Sequence, residues 1–128
     1  VNKSCIESKK VILIDDSIVR GTTASKIVKM VYEGGAKEVH LGISCPPILH
    51  PDFYGIDTPN YNQLIAFKSN LKKMTKLVGA KSLFFLSLAG TYKAMGCKER
   101  NSHTPQFTDH CFTGQYPIDV SEILKLNR

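Results

Sequence analysis

Apolar and polar positions divide this chain into short, distinct blocks. Val11 to Ile14 are four consecutive aliphatic residues with no polar face, a pattern that predicts a strand buried on both sides, as in the middle of a parallel sheet. From Thr23 to Gly34 the apolar residues Ala24, Ile27, Val28 and Val31 recur at helical spacing, and Gly34-Gly35 supplies a stop. Val39 to Ile43 reads as the next strand, and a strand–helix–strand of this length predicts parallel pairing through a right-handed crossover. Cys45 to Pro59 carries four prolines, one glycine and two aromatics, which predicts a long irregular loop. Thr58-Pro59 predicts the start of a helix to about Phe67. A second helix, capped by Asn70, runs through Leu71, Met74, Leu77 and Val78 to Gly79 with its lysines on the other side. Ser82 to Leu86 is the third predicted strand and feeds a short helix from about Ala89 to Met95. Gly96 to Asp109 is polar and unpatterned and reads as an exposed extension, with a last helical turn at Ser121 to Leu126. Val1 to Lys10 shows no periodicity and reads as the inside of a longer chain. No internal repeat is evident. The fold class is therefore α/β, about three parallel strands with flanking helices.

Composition narrows the function classes. Hydrophobic residues make up 42% and charged residues 22% of 128, so one ordinary domain with a buried core is feasible. Seventeen basic against eleven acidic side chains give a formal charge of +6, but the basic residues are dispersed, which favours a small anionic ligand over nucleic acid. No signal peptide or bilayer-length apolar run is visible, so a cytoplasmic protein without a membrane partner is expected. Cys5, Cys45, Cys97 and Cys111 form no C-x-x-C pair, and free thiols are the default. His103 and His110 together with Cys97 and Cys111 invite a metal reading, but their spacing matches no zinc pattern, and unrelated surface residues are the simpler account.

The chemistry concentrates after the first strand, in Asp15-Asp16-Ser17-Ile18-Val19-Arg20-Gly21-Thr22-Thr23. In open α/β sheets ligands bind at the carboxyl ends of the strands, where this loop lies. Gly21 allows a tight turn, Thr22 and Thr23 can cap the following helix, and Arg20 adds a formal charge, so the loop suits a phosphate. Asp15 and Asp16 suit sugar hydroxyls or a magnesium ion instead. A sugar phosphate has both features. Taken singly, the aspartates read equally as a solvated loop and the Gly-Thr-Thr as an ordinary helix start. The Cys45–Pro59 loop should emerge on the same sheet edge, where either His50, Asp52 and Tyr54 approach the ligand or Phe53 and Tyr54 pack down as plugs.

Four hydrophobics, two acids and Ser-Ile-Val-Arg-Gly-Thr-Thr resemble the signature of type I phosphoribosyltransferases, and more narrowly that of the amidophosphoribosyltransferases. Cys45-Pro46-Pro47-Ile48 with His50-Pro51-Asp52-Phe53-Tyr54-Gly55-Ile56-Asp57 is similar to a second segment of that family. Cys111-Phe112-Thr113-Gly114-Gln115-Tyr116-Pro117 resembles its carboxyl-terminal end. The resemblance implies a parallel sheet of the type I phosphoribosyltransferase fold, of which only the carboxyl-terminal half is present. Residues 1–96 would be the back half of the transferase domain and 97–128 an extended tail. It implies that Asp15 and Asp16 hold the ribose hydroxyls and magnesium, and that Ser17, Arg20, Gly21, Thr22 and Thr23 bind the 5′-phosphate of phosphoribosyl pyrophosphate or of a purine nucleotide. The family's reaction is the glutamine-dependent formation of 5-phosphoribosylamine in purine biosynthesis.

The chain departs from that pattern in two ways. Some members hold an iron–sulfur cluster with one cysteine just before the Phe-Tyr-Gly stretch and a C-x-x-C near the end; here these positions read Asp52 and Thr108 to Cys111, so a cluster is not expected. The family's glutaminase domain, pyrophosphate-binding loop and flap also have no counterpart in this sequence. No catalytic residue is therefore assigned, and the chain is expected to be inactive alone, with an exposed apolar edge that calls for a companion chain or a homo-oligomer. The other class of reading is a non-catalytic ribose-phosphate or nucleotide binding module, or a partner subunit.

Overall fold

Val39, Leu41 and Ile43 are almost wholly buried, and the rest of the core is arranged about them. The computed structural model describes residues 2–56, 58 and 60–126; Asp57 and Pro59, used above to place a motif and a helix start, lie outside the described residues. In chain order the elements are α1 (Lys3–Ile6), β1 (Lys10–Asp15), α2 (Thr22–Glu33), β2 (Glu38–Ile43) and a 3-10 turn (Tyr61–Gln63). They continue with α3 (Ile65–Lys68), α4 (Leu71–Val78), β3 (Ser82–Phe85), α5 (Leu88–Ala94), α6 (His110–Thr113) and α7 (Ser121–Leu126). The sheet is parallel throughout, in the order β1-β2-β3.

Register divides the strand residues between two faces. Val11, Leu13 and Asp15 align with Val39, Leu41 and Ile43, and Leu41 and Ile43 align with Leu83 and Phe85. This face packs against Ala24, Val28 and Val31 of α2 and Met74 and Val78 of α4, and full burial of each large aliphatic contributes about 1.5–3 kcal/mol. The opposite face carries Ile12, Ile14 and Phe84, which are 67%, 63% and 48% exposed. The expectation that β1 is buried on both sides is thus corrected. It has one strand neighbour among the described residues, and nothing among them shields Ile12 or Ile14. The exposed apolar surface is thus a whole sheet face, not only the strand edge expected above.

Local signals placed most helix ends. Asn70 accepts a hydrogen bond from the Lys73 N–H at 2.9 Å, a cap of about 1 kcal/mol, and Gly79 ends α4 in the left-handed region at φ 76°. Ser87 caps α5 in the same way, bonding the Gly90 N–H. The helix predicted to run to Phe67 is instead broken in two. Leu64 is extended and fully buried, and the Ile65 N–H donates to Val19 O at 2.9 Å, so a tertiary bond replaces helix continuation. Asn2 nucleates α1 in a stretch where no element was expected.

Residues beyond α5 are mostly exposed up to Thr108, but they are tied down at definite points. Arg100 forms a two-pronged pair with Asp109, through Nε to Oδ2 and through Nη2 to Oδ1, and the Tyr92 hydroxyl donates to the same carboxylate at 2.8 Å. Leu49 and His50 donate their N–H groups to Cys111 O, and the Tyr116 hydroxyl donates to Pro51 O. Loop 45–56 and the segment around α6 therefore form a second packed unit.

Candidate functional site

The sheet's carboxyl edge delivers Asp15 at the end of β1, and Ser44 secures that end by donating both its N–H and its hydroxyl to Asp15 O. Asp15 Oδ1 then accepts the Asp16 N–H at 3.0 Å, and Asp16 Oδ1 accepts the Ser17 hydroxyl at 3.1 Å. Ile18 is buried in the core and anchors the middle of the loop. Gly21 has φ 81°, and a Cβ there would lie 2.7 Å from Ile65 Cδ1. The left-handed φ favours glycine, and a Cβ would also force the Ile65 methyl to move.

The start of α2 differs from the expectation. Gly21 itself is the cap residue, no side chain caps the helix, and Thr22 and Thr23 are its first residues. Their hydroxyls do not close the helix end. This leaves the first-turn N–H groups of a twelve-residue helix, with no acid in its first turn, without a side-chain cap.

Asp15, Asp16, Ser17, Arg20, Gly21, Thr22 and Thr23 all line one cavity of about 290 Å³, together with Ile18, Val19 and Ala24. A larger cavity of about 650 Å³ lies beside it, sharing Arg20, Gly21 and Thr22 and adding Lys26, Lys68 and Lys73, so the surroundings of the loop are cationic. Arg20 is held by its Nε donating to Gln63 Oε1 at 2.8 Å. Gln63, Ile65 and Ser44 are supporting residues that sequence reasoning missed. Their roles depend on contacts across 43, 46 and 29 positions of chain, for which no local signal exists.

His50, Asp52 and Tyr54 are not among the residues lining that cavity. His50 Nδ1 lies 3.0 Å from the Tyr61 hydroxyl, Asp52 bonds His110, Phe53 stacks on Tyr116, and the Tyr54 ring meets His110 edge-on. The plug alternative describes Phe53. The reading of His110 as a surface residue is corrected: it is 4% exposed and its Nε2 lies 2.7 Å from Asp52 Oδ2, because the chain folds back onto loop 45–56.

Electrostatics separate this junction from the loop. Burial pushes the Asp52 carboxyl up, but bonds from the Tyr54 and Ile56 N–H groups and from His110 hold it below the ordinary carboxylate range. Asp109 is held down in the same way by Arg100, Tyr92 and Thr113 against its burial. Burial raises the Cys45 and Cys111 thiols to about 11, with Asp16 adding to the effect on Cys45 and Asp52 to that on Cys111. All four cysteines are free thiols.

The donor sets test the two implied metal groups. Asp15 and Asp16 offer hard carboxylate oxygens on the lining of the same cavity, a donor type that fits magnesium. Asp52, His110 and Cys111 bring oxygen, nitrogen and sulfur within 4.8 Å of one another, while Thr108 is exposed. One thiolate among three such donors does not fit a cluster held by cysteines.

Comparison with known proteins shows what the chain is similar to. The chain is 55% identical over 117 residues to the amidophosphoribosyltransferase of Rhizobium etli, covering 91% of this chain and 24% of that protein. The Bacillus subtilis amidophosphoribosyltransferase is 47% identical over 118 residues, covering 92% and 25%. This chain matches part of an amidophosphoribosyltransferase. It spans about a quarter of the length of the curated relatives it matches. Two solved structures agree with this match. One is the B. subtilis glutamine phosphoribosylpyrophosphate amidotransferase complexed with ADP and GMP, with TM-score 0.82, 47% identity, and coverage of 92% of this chain and 26% of that one. The other, described as the allosteric regulatory enzyme of purine biosynthesis, has TM-score 0.84 and 45% identity, covering 98% and 27%. The fold of this chain is accordingly that of a type I phosphoribosyltransferase, in an open three-stranded portion. No family model matches the chain. Among the described residues no helix is long and apolar enough to cross a membrane.

Proposed function

We propose that loop 15–23 binds the ribose 5-phosphate portion of phosphoribosyl pyrophosphate or of a purine nucleotide, within an enzyme that makes 5-phosphoribosylamine for purine synthesis. The observation that carries this reading is the convergence of two carboxylates, Arg20 and an uncapped helix N-terminus on one cavity. Ser17, Arg20 and the Gly21–Thr23 backbone hold the phosphate, the N–H groups directing hydrogen bonds at its oxygens. Asp15 and Asp16 accept hydrogen bonds from the vicinal ribose hydroxyls and supply the oxygen ligands for magnesium. When bound, magnesium offsets charge on a pyrophosphate leaving group.

The rest of such an enzyme would join this segment at the free edge of β1 and over Ile12, Ile14 and Phe84, either in one polypeptide or as a companion chain. Four free thiols suit a reducing compartment such as the cytoplasm. Calorimetric titration with phosphoribosyl pyrophosphate and with AMP, with and without magnesium, tests the reading. Saturable binding that Asp15→Asn/Asp16→Asn weakens is the expected result. A folded chain that binds neither ligand would overturn it.

A further inference from the structure

A second group of ligand-capable side chains lies outside the phosphate loop and is not explained by it. Asp52, His110 and Cys111 each place a metal-binding atom within 4.8 Å of the other two. The Asp52 and His110 side chains are 2% and 6% exposed, and their oxygen and nitrogen are 2.7 Å apart. Asp52 accepts two backbone N–H groups through Oδ1, which keeps it a carboxylate, so its remaining oxygen Oδ2 accepts a proton-bearing His110 Nε2. In the neutral ring this arrangement fixes the tautomer and leaves the lone pair on Nδ1. That atom is buried and has no hydrogen-bond partner. A metal-ligating histidine commonly has this form, with one nitrogen donating to a carboxylate and the other turned to the ion. Cys111 follows it in the chain and adds sulfur, and Cys45 lies near enough to Cys111 to feel its charge.

We propose that this cluster holds a single divalent transition-metal ion of the zinc class, with His110 and Cys111 as nitrogen and sulfur ligands and Asp52 as the carboxylate that orients His110. The mixed nitrogen and sulfur set favours zinc or cobalt over magnesium. Such an ion would fix His110 and Cys111 on α6 and, through the Asp52–His110 bond, reinforce the tie between α6 and the loop after β2 that Leu49, His50 and Tyr116 already make. Its role is that of a staple, independent of whether the phosphate loop binds ligand.

The test is metal analysis of protein purified without chelators or added metal, followed by titration of the metal-free protein with cobalt(II). About one ion per chain, and a sulfur-to-cobalt charge-transfer band that saturates at that ratio, are expected. Cys111→Ser should remove the band and His110→Ala should release the ion, while Cys97→Ser, outside the cluster, leaves both unchanged. Should either cluster variant fail to fold, the cobalt spectrum of the unsubstituted protein still decides. No stoichiometric ion and no charge-transfer band in the folded protein overturn the proposal, as does a band that survives in Cys111→Ser or an iron–sulfur chromophore.

Discussion

The phosphate loop and the loop–tail junction are both rich in polar residues, yet they treat hydrogen bonds in opposite ways. In the loop, helix α2 begins without a side-chain cap, and among the described residues the two aspartate carboxylates bond only their immediate neighbours. At the junction, Asp52 and Asp109 are buried and accept three or more hydrogen bonds each. Unsatisfied groups on a fixed backbone are what a ligand needs, and satisfied buried groups are what a packed structure needs. Similar residue types are therefore left open to a ligand in one place and used for cohesion in the other.

The sharpest way to break this contrast is at the junction. Asp109→Ala strands the Arg100 guanidinium and the Tyr92 hydroxyl, and a loss of about 3 kcal/mol is expected from the urea midpoint. Gly21→Ala tests the loop backbone: positive φ and the close Ile65 methyl should cost about 1–2 kcal/mol and weaken phosphate binding, read by thermal melting and calorimetry. Acid distinguishes the two regions next. Asp52 and Asp109 titrate below their ordinary value of 3.8, so their stabilisation is present above about pH 4 and is lost as pH falls through their folded values. Unfolding midpoints between pH 6 and pH 3 should fall, and Asp109→Asn should flatten that fall.

Smaller effects belong to the loop. Asp15→Asn/Asp16→Asn should move stability by no more than about 0.5 kcal/mol while reducing ligand affinity, a separation the junction cannot show. Gln63→Ala releases Arg20 and should weaken anion binding several-fold with an unchanged melting temperature. Should Gln63→Ala bind phosphate as tightly as the parent chain, the bond from Arg20 would be surface packing rather than preorganisation.

Much of this was legible in the chain itself. Apolar runs and helix punctuation located three strands and the helices α2, α4 and α5, because a strand or helix of that length is governed by its own periodicity. That Asp15, Asp16, Ser17 and Arg20 to Thr23 share one cavity was legible because they are contiguous along the chain. Leu64, which breaks a predicted helix, and Ile14, which a fourfold aliphatic run marks as buried but which is 63% exposed, were not. Burial of a strand face depends on what covers it, and the sequence of the strand says nothing about that.

By itself the sequence determined the parallel α/β class, the loop that turns on Gly21, and the family it resembles, since each rests on residues adjacent along the chain. Only the tertiary structure decided that Gln63 holds Arg20, that Ser44 secures Asp15, and that Asp52 meets His110 across 58 positions. Such pairings come from chain segments brought together by burial of the core, and two polar residues carry no mark of their partner until the fold removes water from between them.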